Sequence, residues 1–245
     1  KALVVVHLYG QSCEMSPIIN LAKKHNLKII EDNAQAIGCQ YKFPNEEIKF
    51  TGTMGHVGTT SFYPSKNLGC YGDGGALFTN DDQLALKIKM IANHGEVTKY
   101  NHEVIGCNSR LDSIQAEILN IKLNYLNDYN SSRNMMAMNY NKAFSEIGEI
   151  QIPFVIDTST HVYHQYTIKI IDGSRDELKI FLESEGIPTM IYYPIPIHKQ
   201  KPYENNQNLI NTNRLVNEVI SLPIHSEIEN SKQDFIIDNI LNFYR

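Results

Sequence analysis

Lys1-Ala2-Leu3-Val4-Val5-Val6-His7 and Leu27-Lys28-Ile29-Ile30-Glu31-Asp32 are two short apolar runs, and they decide the fold class together with what lies between them. Each reads as a buried strand, because aliphatic and β-branched residues follow one another without polar alternation. Between them Ser16-Pro17 predicts an N-cap and a first-turn proline. The helix it opens carries Ile18, Ile19, Leu21 and Ala22, and Lys23, Lys24 and His25 complement the negative end of its dipole. Strand, helix and strand within about 30 residues form a βαβ unit, so the two strands are parallel. The expected class is α/β with a mainly parallel sheet. Ligands of such sheets gather beyond the C-terminal strand ends, where Asp32 stands.

Further along, Thr60-Ser61-Phe62-Tyr63 is a short strand-like run that stops at Pro64, and Gly74 to Thr79 reads as another strand. Asp81 begins a helix that stops near His94-Gly95. Helical spacing then dominates from Leu111 to about Ile147, broken by the polar stretch Asn127 to Asn134. That break divides the chain into a large α/β domain over residues 1–128 and a smaller C-terminal α/β domain over 129–245. In the second part, His161 to Ile171 and Ile187 to Tyr193 read as strands. Ser174-Arg175-Asp176-Glu177 reads as a capping box opening an amphipathic helix, and a last helix covers roughly Ser231 to Tyr244. Asn205 to Asn213 is expected to be a loop. A chain that begins inside a core strand is expected to lack the N-terminal part of its large domain.

Composition narrows the function classes. The 245 residues carry a net charge of −5, with 42% hydrophobic and 20% charged residues, as in ordinary globular proteins. No apolar run approaches the roughly 18 residues of a membrane span, and no signal-peptide pattern opens the chain. With no basic block to neutralise phosphates, nucleic acid is not the expected partner. Cys13, Cys39, Cys70 and Cys107 form no C-x-x-C pair, which points to reduced thiols in the cytoplasm. His161, His164, His198 and His225 match no metal-binding spacing, so no metal is expected.

The richest chemistry lies in Ser61-Phe62-Tyr63-Pro64-Ser65-Lys66-Asn67-Leu68-Gly69, followed by Gly72-Asp73-Gly74-Gly75. A lysine just past a strand end, bracketed by Pro and Gly, sits in a turn. Surface exposure is the common fate of such a lysine. A desolvated amine there would instead be a Schiff-base nucleophile. Asp32 admits two readings as well: a turn-forming Asp-Asn pair, or a carboxylate that keeps a pyridinium nitrogen protonated. Gly72-Asp73-Gly74-Gly75 lacks a following helix and reads as a turn feeding a strand rather than a dinucleotide fingerprint.

These segments, with Val6 to Gln11, Glu31 to Gly38, Asn93-His94-Gly95, Gly106 to Asp112 and Tyr163-His164-Gln165-Tyr166, resemble the DegT-type sugar-nucleotide aminotransferases of the aspartate-aminotransferase (type I) fold. The resemblance runs from the first residue to about Tyr203. It implies pyridoxal 5′-phosphate (PLP, carried as PMP between half-reactions) as cofactor, with Lys66 as its Schiff-base lysine and proton carrier and Asp32 on the pyridinium nitrogen. Gln35 would contact the ring's phenolic oxygen, Ala34 one ring face and Ser61 the phosphate. Asn108 would reach the phosphate of the neighbouring subunit, which implies a homodimer with shared sites. L-Glutamate is the implied donor and a nucleotide-linked keto sugar the acceptor, in the making of lipopolysaccharide or other surface glycans.

Tyr163-His164-Gln165-Tyr166 and Tyr193-Pro194-Ile195-Pro196-Ile197-His198 look most like enzymes that aminate C3 of dTDP-linked 3-keto-6-deoxyhexoses. C4 amination of a 4-keto sugar and a non-catalytic aminotransferase-like subunit are the alternatives. A related dehydratase branch carries His at the position of Lys66. Substrate candidates are Tyr63, Arg110, Tyr192 and His198. Arg110 equally suits a subunit interface, and His198 a structural role. Asn33 stands where the family commonly has a small residue, and Tyr192 where many members have His. The family's upstream segment, which supplies an aromatic residue on the other ring face, has no counterpart here.

Overall fold

A computed structural model describes the chain from Lys1 to Arg245. It divides into two compact units: residues 1–130 with 155–164, and residues 131–154 with 165–245.

The first unit is built on a four-stranded sheet. In chain order its elements are β1 (Ala2–Val6), α1 (Met15–His25), β2 (Lys28–Asp32), β3 (Gln40–Lys42), β4 (Ile48–Phe50), β5 (Val57–Ser61), β6 (Gly75–Phe78), α2 (Asp82–Ala92), β7 (Glu96–Thr98), β8 (Asn101–His102) and α3 (Ser113–Leu123), followed by the first turn of α4 (Leu126–Phe144). The sheet order is β1-β2-β5-β6. β1, β2 and β5 are parallel, with Val6 opposite Asp32 and Asp32 opposite Thr59; β6 is antiparallel, with Gly75 opposite Ser61. β3 and β4 form a hairpin. The expected βαβ start and mainly parallel sheet are both present.

Packing explains where the elements differ from the sequence reading. β1 pairs with β2 on one side. Leu3 and Val5 pack on the Met15, Ala22, Ile29 and Tyr41 cluster under α1, while Val4 and Val6 on the other face are 64% and 43% exposed. α1 starts one residue before Ser16, with Glu14 as N-cap, and Ser16 is used by Tyr41, whose hydroxyl donates to its Oγ at 3.0 Å. The helical stretch after Leu111 breaks at Asn124-Tyr125. Residues 127–134 lie inside α4, because Asn130 and Arg133 are buried and hydrogen-bonded on its inner face. Residues 155–164 return to the first unit: Val162 N donates to Gly10 O at 2.8 Å and Lys42 N to Thr158 O at 2.7 Å.

The second unit holds the rest of α4, β9 (Ile150–Gln151), β10 (Tyr166–Ile170), α5 (Arg175–Ser184), α6 (Ile210–Glu218), β11 (Val219–Leu222) and α7 (Asn230–Phe243). Its antiparallel sheet runs β11-β10-β9. The core is aromatic and aliphatic: Tyr140 stacks on Phe144 and meets Tyr166, beside buried Ile168, Leu178, Leu182, Ile220 and Ile240. Ser174 precedes α5, but its hydroxyl donates to Asp172 at 2.8 Å, so the capping box is not formed. Residues 187–193 are not a strand; only Met190 bridges to Ser221. No helix is long and apolar enough to cross a membrane.

Candidate active site

Three parallel strands end side by side, and each delivers a polar side chain: His7 just past β1, Asp32 at the end of β2 and Ser61 at the end of β5. Free backbone groups and side chains converge at this edge of any parallel sheet, so it is the place to look for a ligand.

Lys66 follows β5 in a turn closed by its own N–H, which donates to Tyr63 O at 2.9 Å. Its amine is half-buried. Desolvation lowers its pKa, and the negative charge of Asp32 acts in the opposite direction without cancelling the effect. The structure therefore brings Lys66 and Asp32 within electrostatic reach of each other. A lysine poised this way is a better nucleophile and proton carrier than a solvated one. Its turn is held from the next residue: Asn67 Nδ2 donates to Asn130 Oδ1 at 2.7 Å and to Val162 O at 2.9 Å. Asn130 in turn donates to Ile37 O at 3.2 Å, in the loop that follows Asp32.

That loop is ordered by its own side chains. Asp32 Oδ1 accepts the N–H of Ala34 at 3.0 Å, the turn geometry expected of an Asp-Asn pair, and the carboxylate still acts on Lys66. Gln35 Oε1 accepts the N–H of Tyr9 at 2.6 Å, which orients the amide. Tyr9 can donate there because the chain turns sharply after β1, with φ +59° at Tyr9 and +113° at Gly10. A Cβ on Gly10 would stand 2.8 Å from the backbone nitrogen of Tyr163, so only glycine fits. Ser61 Oγ accepts the N–H of Tyr63 at 3.3 Å, and the Tyr63 ring is 53% exposed.

On the opposite face of β2, Glu31 is fully buried and accepts four hydrogen bonds. They come from His7 Nε2 (2.8 Å), Gly52 N (2.8 Å), Met54 N (2.6 Å) and Gly55 N. Burial works against its charge, but the bonds from His7, Gly55 and Gly52 outweigh it and hold the carboxyl below its usual range. His7 Nδ1 accepts the N–H of Cys13 at 3.1 Å, so the ring proton sits on Nε2. Sequence reading did not single out this pair; the signal it had was two polar residues closing adjacent apolar strands. Asn33, the larger residue of the loop motif, points the same way and donates to Thr51 O at 3.1 Å.

Two other predicted residues of the first unit, Asn108 and Arg110, make no side-chain hydrogen bond to this cluster. Asn108 and Arg110 are exposed in the segment between β8 and α3 and pair with each other, Arg110 Nε donating to Asn108 Oδ1 at 3.0 Å. Neither makes a side-chain hydrogen bond to Asp32, Ser61 or Lys66. Tyr192 and His198 belong to the second unit. His198 is 3% exposed, and neither ring nitrogen has a hydrogen-bond partner.

Comparison with known proteins finds relatives of this chain. The model of the DegT/DnrJ/EryC1/StrS aminotransferase family matches residues 1–241. A pleiotropic regulatory protein of Geobacillus stearothermophilus is 42% identical over 251 residues, covering 100% of this chain and 66% of that protein. The dTDP-3-amino-3,6-dideoxy-alpha-D-galactopyranose transaminase of Aneurinibacillus thermoaerophilus is 41% identical, covering 98% and 64%. Among solved structures, a DegT DnrJ EryC1 StrS aminotransferase from Brucella abortus superposes with a TM-score of 0.91 at 39% identity, covering 100% of this chain and 64% of that one. The chain thus spans about two thirds of the length of the proteins it matches.

Proposed function

The chain belongs to the DegT/DnrJ/EryC1/StrS aminotransferase family, and we propose that it serves a PLP-dependent transfer of an amino group from L-glutamate to C3 of a dTDP-linked 3-keto-6-deoxyhexose. The observation that carries this reading is the half-buried Lys66 amine, its pKa lowered by desolvation, within the field of Asp32 beyond the C-terminal ends of parallel strands. The C3 position is supported by the name of the Aneurinibacillus relative and by the motifs around Tyr163 and Tyr193.

The residues present fit the cofactor. Lys66 would anchor it, Asp32 would pair with its ring nitrogen, and Gln35, already oriented by Tyr9, would meet the ring oxygen. Ala34 offers a small side chain for one ring face, and Ser61 a hydroxyl for the phosphate. When bound, the ring supplies an electron sink for the charge left at the donor's α-carbon. A carboxylate from Asp32 would favour the protonated form of the ring nitrogen. Lys66 would act as the acid–base group, its Nζ accepting the proton lost from the donor's α-carbon and giving it up again later in the exchange. The same lysine would serve the keto-sugar half of the exchange. His198, a buried imidazole with unpartnered nitrogens, together with Tyr192, Tyr63 and Arg110, would supply polar contacts to the sugar nucleotide. Asn108 would serve the partner subunit's cofactor in a cytoplasmic homodimer that feeds surface-glycan synthesis.

The test is direct. Protein supplied with PLP, glutamate and a dTDP-linked 3-keto-6-deoxyhexose is expected to release 2-oxoglutarate and place nitrogen on C3. Nitrogen on C4 overturns the regiochemistry, and silence with every keto sugar overturns the enzyme reading. A non-catalytic role is the second reading, favoured by the name of the Geobacillus relative. It predicts a protein that stays colourless with PLP and gains no borohydride-fixed adduct at Lys66.

A further inference from the structure

We propose that His7 and Glu31 are positioning residues for the candidate site: the buried bond from His7 Nε2 to Glu31 sets where Asp32 and Gln35 stand. The proposal rests on reading Lys66 and Asp32 as the reacting pair. Successive residues of a strand point to opposite faces, so Glu31 faces the sheet's rear while Asp32 faces the site. Glu31 gathers the amides of Gly52, Met54 and Gly55 behind β2, and the next rearward side chain, Asn33, holds Thr51 O. The segment 51–55 is thereby strapped to the back of the acidic loop.

His7 carries this anchorage to the front in two ways. Its backbone N–H donates to Asp32 O at 3.1 Å, tying the end of β1 to the residue that bears the functional carboxylate. Its ring is held between Glu31 and the Cys13 amide, which fixes the direction in which the chain leaves β1. Two residues later that direction places the Tyr9 N–H on Gln35 Oε1. Rotation of the His7 ring would loosen the exit from β1, just before the positive-φ turn whose Tyr9 N–H orients Gln35. None of these groups touches a ligand site itself; they act through Asp32 and Gln35.

The experiment reads Lys66 in protein freed of any carbonyl ligand, so it needs no transaminase activity. Acetic anhydride pulse-labelling of Lys66, followed by mass spectrometry across pH, gives the midpoint at which the amine becomes reactive. Asp32→Asn removes the charge that favours the protonated amine, and its downward shift calibrates the scale. His7→Asn, too short to reach Glu31, and Glu31→Gln are expected to move the midpoint toward the Asp32→Asn value. His7→Gln, which keeps a donor near the place of Nε2, is expected to leave it at the wild-type value. A folded His7→Asn or Glu31→Gln protein with the wild-type midpoint overturns the proposal. So does a His7→Gln shift as large as that of His7→Asn, and so does outright loss of fold in both His7→Asn and Glu31→Gln, which assigns the pair to stability alone. Inactivity of the wild-type protein toward keto sugars would sink the proposed reaction and leave these midpoints standing.

Discussion

Asn67 Nδ2 donates to Asn130 Oδ1 at 2.7 Å, and this single bond couples the turn that carries Lys66 to the first turns of α4. Because Asn130 also donates to Ile37 O, the lysine turn and the acidic loop are held by one shared residue. Buried amides, rather than a bond between the two side chains, thus tie the Lys66 turn to the Asp32 loop.

Asn67→Ala should cost about 1–3 kcal/mol, because Asn130 Oδ1 and Val162 O each lose a buried donor. Urea unfolding checks the size. An unchanged midpoint would show that water replaces the amide at no cost.

Lys66 has a lowered pKa in the folded chain, so below its ordinary range the unfolded chain binds the extra proton more readily. Its contribution is unfavourable at neutral pH and fades as pH rises through the window between the folded and unfolded values. Lys66→Met is therefore expected to be more stable than wild type at neutral pH, with the gap closing at high pH. Thermal melts of cofactor-free protein across pH decide this.

For Lys66→Ala, loss of the proposed proton carrier is expected to lower turnover by at least about 10²-fold, and by up to about 10⁴-fold. In its proposed role Asp32 would stabilise a charge on the cofactor's ring nitrogen, so Asp32→Asn should also lower turnover. Single-turnover kinetics with glutamate would separate these losses from weaker cofactor binding.

Gly58 sits in β5, and a Cβ there would run into the carbonyl oxygen of Gly52, a backbone atom with no room to move. Gly58→Ala is expected to cost about 1–3 kcal/mol or more through overpacking. It should also disturb the segment held by Glu31. Hydrogen exchange at Gly52, Met54 and Gly55 would report that disturbance separately from global stability.

The proposed sharing of sites between two subunits predicts complementation. Lys66→Ala and Asn108→Ala proteins, unfolded together and refolded as a mixture, should recover activity that neither has alone, since a mixed dimer rebuilds one site. No recovery in verified mixed dimers would place Asn108 outside the partner's site.

Local features were legible where local chemistry decides them. The βαβ start, the helix behind Asp81 and the turn before β6 follow from runs, caps and glycines. Asp81 does cap α2, accepting the Leu84 N–H at 3.0 Å. Ser16 and Ser174 looked equally like caps and are not, because Tyr41 and Asp172 compete for their hydroxyls. The polar run 127–134 read as a break, but Asn130 and Arg133 find buried partners on a continuous helix.

By itself the sequence determined the α/β class, the parallel register that puts Asp32 at a strand end and the lysine turn beyond β5. These depend on residue order over a few turns of chain, where periodicity and proline or glycine leave few choices. Only the tertiary structure decided that Glu31 and His7 form a buried pair, that Asn130 bridges two distant loops and that residues 155–164 return to close the turn at Gly10. Such contacts join residues 24 to more than 90 positions apart, and their energy comes from removing both partners from water together.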